Sequence, residues 1–264
     1  ETLLANLEER PGHLPTIEAI AQIMSARGKF AELAEILTAQ ARKLEESGPP
    51  ESAARIWAHI AALADGPLGE PARAITAWER VAALDANPDA LDALARLYAT
   101  RGEHATAAGW LEQRLAATTA VAERTEVSMR LGRAYLTSGQ RHRAIACLER
   151  ALGENAAANE ARALLIELYR AANAHEALAR ALAEGCDNVK DDATVLAYAR
   201  EAATLYQEKL GAPERAIPVL ERALQVLPDE RWLRLALADG MRAAGRFGEA
   251  RTLLQGLLDE MGRR

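Results

Sequence analysis

The chain has 264 residues, a formal net charge of −6, 60 alanines and only 4% aromatic residues, which describes closely packed helices rather than a β-sandwich or barrel. The acidic balance excludes a general nucleic-acid surface. Two cysteines, Cys147 and Cys186, with no CxxC and no histidine cluster beside them, exclude a structural zinc site and a disulfide framework, and no apolar run is long enough to span a bilayer.

In chain order, residues 1–12 read as the second helix of a preceding unit, ended by Pro11-Gly12. Glycine-centred turns then recur: Gly28, Gly69, Gly102, Gly139, Gly211 and Gly245, with Asn173 in the equivalent place at Ala172-Asn173-Ala174, where a shortened turn is expected. Their spacings set a period of about 36 residues, in the range of helical repeats. Before each turn runs an apolar helix, as in Leu94 to Tyr98, Leu131 to Tyr135 and Leu165 to Tyr169. After it a second helix carries a small residue at a fixed place: Ala74, Ala107, Ala144, Ala177, Ala216, Ala250. Prolines such as Pro88 and Pro228 close units, since proline cannot continue a helix. The reading gives seven helix pairs, over 14–47, 50–87, 88–120, 122–156, 158–187, 191–228 and 229–262. Gly48-Pro49-Pro50 and residues 185–192 are loops too short to link domains, so one continuous array is expected. A start at Glu1, with no basic and apolar leader, and a last helix that keeps Leu253, Leu254, Leu257 and Leu258 without a polar cap fit a piece of a longer protein, able to self-associate through uncapped ends.

In residues 122–156, Leu131, Gly132, Tyr135, Gly139, Ala144, Leu148 and Ala151 fall at the signature positions of the tetratricopeptide repeat family, and Leu-Gly-x-Pro-x-x-Ala-Ile recurs at Leu68–Ile75 and Leu210–Ile217. The chain resembles that family over nearly its whole length. The resemblance implies an all-α, right-handed superhelical solenoid of antiparallel helix pairs whose first helices line a concave groove. It also implies a non-catalytic scaffold or adaptor that binds a protein or peptide there, or else the regulatory or substrate-recruiting arm of a multidomain enzyme. Mapped onto this chain, the groove takes Asp92, Arg96, Glu126, Met129, Arg133, Glu160, Ala163, Glu167, Arg170, Arg200, Thr204, Leu235, Asp239 and Arg242. The Lys and Asn side chains of a chaperone carboxylate clamp are not at the corresponding positions.

The candidate partner-binding residues are therefore Arg96, Met129, Arg133, Arg170, Arg200, Trp232 and Arg242. Guanidinium forks suit carboxylate partners, so either they engage an acidic segment or they pair with Asp92, Glu126, Glu167 and Asp239 in the same groove. Trp232 is the best aromatic anchor, while Trp57 and Trp78 fall at core phases and Trp110 on an outer phase. No GxSxG, HExxH, P-loop or GxGxxG occurs, so no catalytic residue, metal or cofactor is expected. His104 and His175 share the register of Phe30 and Phe247, where a ring fills a packing site, and neighbours such as Glu112 and Arg114, or Glu149 and Arg150, read as solvated faces. RNA binding is disfavoured by charge and by the lack of a repeated base-reading pair. Arginine outnumbers lysine 28 to 4, the usage of a high-GC bacterial genome, and the Leu-Gly-x-Pro form resembles long bacterial scaffold arrays of envelope, motility or polarity systems. A cytoplasmic address is expected.

Overall fold

The computed structural model describes residues 2–85 and 87–262. Among them it forms fifteen α-helices and no strand, the all-α arrangement of helix pairs expected from the sequence. Two compact units divide the chain, residues 1–144 and 145–264. The first holds α1 (Thr2–Glu9), α2 (Leu14–Ala26), α3 (Phe30–Ser47), α4 (Pro50–Asp65), α5 (Pro71–Leu84), α6 (Pro88–Thr100), α7 (His104–Ala117) and α8 (Val121–Thr137). Helix α9 (Arg141–Glu154) crosses the division. The second unit continues with α10 (Asn159–Ala171), α11 (His175–Asn188), α12 (Asp192–Thr204), α13 (Pro213–Val226), α14 (Arg231–Ala243) and α15 (Phe247–Gly262). No helix of the described residues is long and apolar enough to cross a membrane.

Helix starts follow local chemistry. Pro50, Pro71, Pro88 and Pro213 open α4, α5, α6 and α13 at their first position, where the missing N–H is not needed. The Asn87 side chain accepts from Asp89 N at 2.8 Å, and Asp191 accepts from Thr194 N at 2.8 Å, each satisfying an orphan donor of the first turn.

The turns set the phase of the pairs. Gly28, Gly69, Gly102, Gly139, Gly211 and Gly245 all take positive φ, between 60° and 80°, and Asn173 is the one non-glycine among the described residues to do so, at 52°. In this left-handed region glycine is unhindered and asparagine is the best tolerated substitute. Five turns close with an N–H reaching back five residues: Lys29 to Met24, Glu103 to Tyr98, Gln140 to Tyr135, Ala174 to Tyr169 and Arg246 to Met241. That is the Schellman closure, which satisfies the last helical carbonyls. The Asn173 turn therefore has full length, correcting the shortened turn expected from its sequence; Asn simply carries out the glycine's role. Replacing Asn173 by Gly is expected to leave stability unchanged or raise it by up to about 1 kcal/mol, and replacing it by Val to lower it by about 1–2 kcal/mol, read by thermal unfolding.

The two Leu-Gly-x-Pro turns are one residue wider. Glu70 N reaches Ala64 O and Ala212 N reaches Tyr206 O, six residues back. In the second of them the extra residue is absorbed by a single π-turn, Leu205–Lys209, at the end of α12. The loop expected over 185–192 is also shorter than predicted, because α11 runs on to Asn188.

The register alanines lie where paired helices touch. Ala74, Ala107, Ala144, Ala216 and Ala250 are 0–5% exposed, whereas Ala177 is half-buried. Around them, Leu33, Leu37, Ala53, Trp57 and Ile60 anchor the first unit's core, and Leu165, Leu182, Val195, Leu220 and Leu233 are sealed in the second.

A second recurring contact joins successive pairs. The tyrosine closing a first helix donates its hydroxyl to a glutamate on the helix before it: Tyr98 to Glu79 at 2.6 Å, Tyr135 to Glu112, and Tyr169 to Glu149 at 2.5 Å. The bond to Glu79, with burial, pushes the Tyr98 hydroxyl up to about 12, and burial with the Glu149 bond raises that of Tyr169. Glu112 and Glu149 lie on exposed faces, as predicted, and each in addition accepts a tyrosine hydroxyl.

Candidate functional site

Helices α6, α7 and α8 enclose a cleft of about 660 Å³ in the first unit. Its floor is Ala95, Ala99, Ala107 and Ala134, small residues that suit close helix packing, together with Leu111. Arg96, Arg130 and Arg133 stand around that floor with His104, against a single carboxylate, Asp92. A further carboxylate, Asp65 of α4, stands beside Arg96 outside that lining.

Each charge is positioned by its neighbours. Arg96 pairs with Asp65 of α4. Asp92 accepts from Arg130 Nη1 at 2.6 Å and from Arg114 Nε at 3.0 Å. Arg114 is 6% exposed and also donates to Glu123 and to the Thr118 hydroxyl, while Thr118 returns a bond to the Arg114 carbonyl at 2.7 Å. Arg124 closes the segment by donating to the Thr118 carbonyl at 3.1 Å. Arg114 is thus a buried clamp joining α6, α7 and the start of α8, not part of a solvated face. Glu123 and Asp92 hold its guanidinium firmly in the charged form. The sequence held the signal: Ala107, Ala108, Leu111, Arg114 and Leu115 form one buried helical stripe with an arginine in it.

In the second unit, first helices α10, α12 and α14 carry Arg170, Arg200, Trp232 and Arg242. Arg170 grips Glu201 through Nε and Nη2 at 2.9 and 2.7 Å and Glu167 through Nη1 at 2.6 Å. Arg200 lies over the Trp232 ring, 4.8 Å from its centroid, and 3.8 Å from Glu230, whose carboxylate also caps the Trp232 N–H. Beside them a cleft of about 530 Å³ runs along α12, lined by Leu196, Ala197, Arg200, Glu201, Thr204 and Lys209. Arg242 reaches Asp239 of its own helix at 3.6 Å.

The candidates therefore separate. Arg96 and Arg133 share the first unit's cleft, and Arg200 lines the second unit's, stacked on a half-buried Trp232. Met129 is corrected: at 7% exposure it offers no groove surface, because the buried stripe of α8 is broad enough to take in Val127, Ser128, Met129 and Leu131. Arg130, which lines the cleft, and Asp65 and Glu201, which hold Arg96 and Arg170, were not foreseen. Trp57 is in the core and donates to Glu45 at 2.8 Å, while Trp78 and Trp110 are half-buried against the cluster around Leu94 and Leu97. His104 and His175 open α7 and α11, and no group of three metal-binding side chains forms among the described residues. On α15, Phe247, Leu254 and Leu258 are exposed.

Tetratricopeptide repeat models match residues 90–125, 125–157 and 209–263. No curated protein matches the chain in sequence. Among solved structures it is similar to YrrB, a TPR protein with an unusual peptide-binding site (20% identity, 76% of this chain and 96% of that one, TM-score 0.44). It is also similar to a tetratricopeptide repeat protein from Parabacteroides merdae (18% identity, 90% and 91%, TM-score 0.46). A third likeness is to Naa15/Naa10 bound to HypK-THB (17% identity, 99% of this chain and 39% of that one, TM-score 0.57), which at this identity shows the fold.

Proposed function

Because the chain is a tetratricopeptide repeat protein, we propose that it acts as a non-catalytic interaction module that holds an acidic segment of a protein partner in the cleft of α6, α7 and α8. The observation that carries this reading is the lining itself: three arginines and one aspartate around an apolar floor of alanines. An alanine floor lets a polypeptide come close, and guanidinium forks meet carboxylates in two parallel hydrogen bonds. Arg130 already shares Asp92 with the buried Arg114, so its position is fixed before any partner arrives. In the second unit Arg170 is paired with Glu201 and Glu167, as Arg96 is with Asp65 in the first, and the cleft there is flanked by the Arg200–Trp232 stack in place of a group of arginines. The arginine-over-lysine composition favours a bacterial setting, and the resemblance of the Leu-Gly-x-Pro repeat form to long bacterial scaffold arrays favours an envelope, motility or polarity assembly.

The test is affinity capture and mass spectrometry with the wild-type chain and with the Arg96→Glu/Arg133→Glu double variant. The partner retained by the wild type is expected to bind the variant at least tenfold more weakly, with helical content unchanged, and its affinity to fall as salt is raised. A partner bound equally by both, or with no salt dependence, overturns the acidic-segment reading.

A further inference from the structure

Imidazole is the side chain whose charge ordinarily changes between about pH 5 and 8, and His104 is the histidine on the lining of the α6–α8 cleft. It opens α7 and is partly exposed. Among the described residues no hydrogen bond or ion pair holds its ring, and neither ring nitrogen is sealed from solvent.

The charged groups around it are occupied with one another. Asp92 of α6 is shared by Arg130 of α8 and the buried Arg114. Arg96 of α6 holds Asp65. In the turn before α7, Glu103 pairs with Arg101 at 2.9 Å. Arg133 of α8 adds a further cation to the lining. Each of these carboxylates already has an arginine, so the imidazole has no anion of its own. In the empty cleft the arginines and the positive end of α7 oppose a charge on the ring. A carboxylate entering the cleft reverses that balance, because an imidazolium can donate to it from either nitrogen.

Resting on the acidic-segment reading, we propose that His104 makes that binding pH-dependent: the imidazole takes up a proton as an acidic segment enters the cleft. The bound state favours the imidazolium more than the empty state does. By linkage, affinity therefore rises as pH falls through the imidazole range and is lowest above it. Arginine stays charged and aspartate stays ionised over that range, which leaves the ring as the group that changes.

The test titrates an acetylated, amidated hexa-aspartate peptide into the whole chain by calorimetry, at about pH 6 and about pH 8, and near pH 7 in two buffers of different ionisation enthalpy. Binding about three- to fivefold tighter at the lower pH is expected, with net proton uptake near pH 7. His104→Phe, which places here the ring that opens α3 and α15, is expected to bind without pH dependence and without proton uptake. Should it fail to fold, His104→Gln carries the same test. His175 opens α11 in the same register, but it lines neither the α12 cleft nor the cavity of about 500 Å³ that α9, α10 and α11 enclose beside Arg162. His175→Phe is therefore expected to keep the wild-type pH dependence. Wild-type binding of equal strength at both pH values, with no proton uptake, overturns the role of His104 and leaves the acidic-segment reading standing. So does a pH dependence that survives in the His104 variants or is lost with His175→Phe. No binding at either pH overturns both.

Discussion

Replacing Arg114 by Ala is expected to destabilise the chain by about 3 kcal/mol, read from urea unfolding. Three elements lose their joint at once. Asp92 on α6 loses the Nε donor, Glu123 at the start of α8 loses its cation, and the Thr118 hydroxyl loses a donor. Removing one partner of a buried ion pair typically costs 3–5 kcal/mol, because the remaining charge is left without compensation. Here Asp92 and Glu123 keep 31% and 47% side-chain exposure and can turn partly to water, which places the effect at the lower end of that range. Arg130→Ala is the control. Its side chain is 35% exposed and binds the same Asp92, so its loss should cost about 1 kcal/mol or less. Equal effects of the two substitutions would mean that burial of Arg114 contributes nothing beyond a surface pair. Arg114→Lys keeps the charge without the fork and should fall between the two.

The parts of this fold that sequence discloses are those fixed by local backbone chemistry. A left-handed turn residue accepts few side chains, so Gly28, Gly102, Gly139 and Gly245 announce the turns, and Asn173 announces the same conformation by being the next best residue for it. Prolines at the first helical position mark starts for a similar reason. Contacts between residues 20 to 40 apart are not legible that way. Nothing near Glu112 says that it will receive the Tyr135 hydroxyl, and nothing near Arg96 says that Asp65, two helices back, will hold it. Assigning one inward phase to every first helix placed Arg96, Arg133 and Arg200 at clefts, yet it failed at Met129, where the buried stripe of α8 takes in Val127, Ser128, Met129 and Leu131. The charged candidates were thus located to a helix face by sequence, and their pairing was set by neighbours that only packing brings near.

Enlarging the register alanines should separate two environments that share one sequence pattern. Ala216 and Ala74 are fully buried where paired helices cross, so Ala216→Leu or Ala74→Leu must push the backbones apart or force strained rotamers. Overpacking of this kind costs about 1–3 kcal/mol. Ala177 occupies the same place in its pair but faces the 500 Å³ cavity beside Arg162. Ala177→Leu is therefore expected to change stability by less than about 1 kcal/mol, its added methyl groups entering open volume and covering apolar surface. Thermal melts of the three variants decide it. Equal losses at all three positions would show that the cavity closes around Ala177 in solution. A loss confined to Ala74 and Ala216 would show that the repeat relaxes its closest contact where this cavity opens.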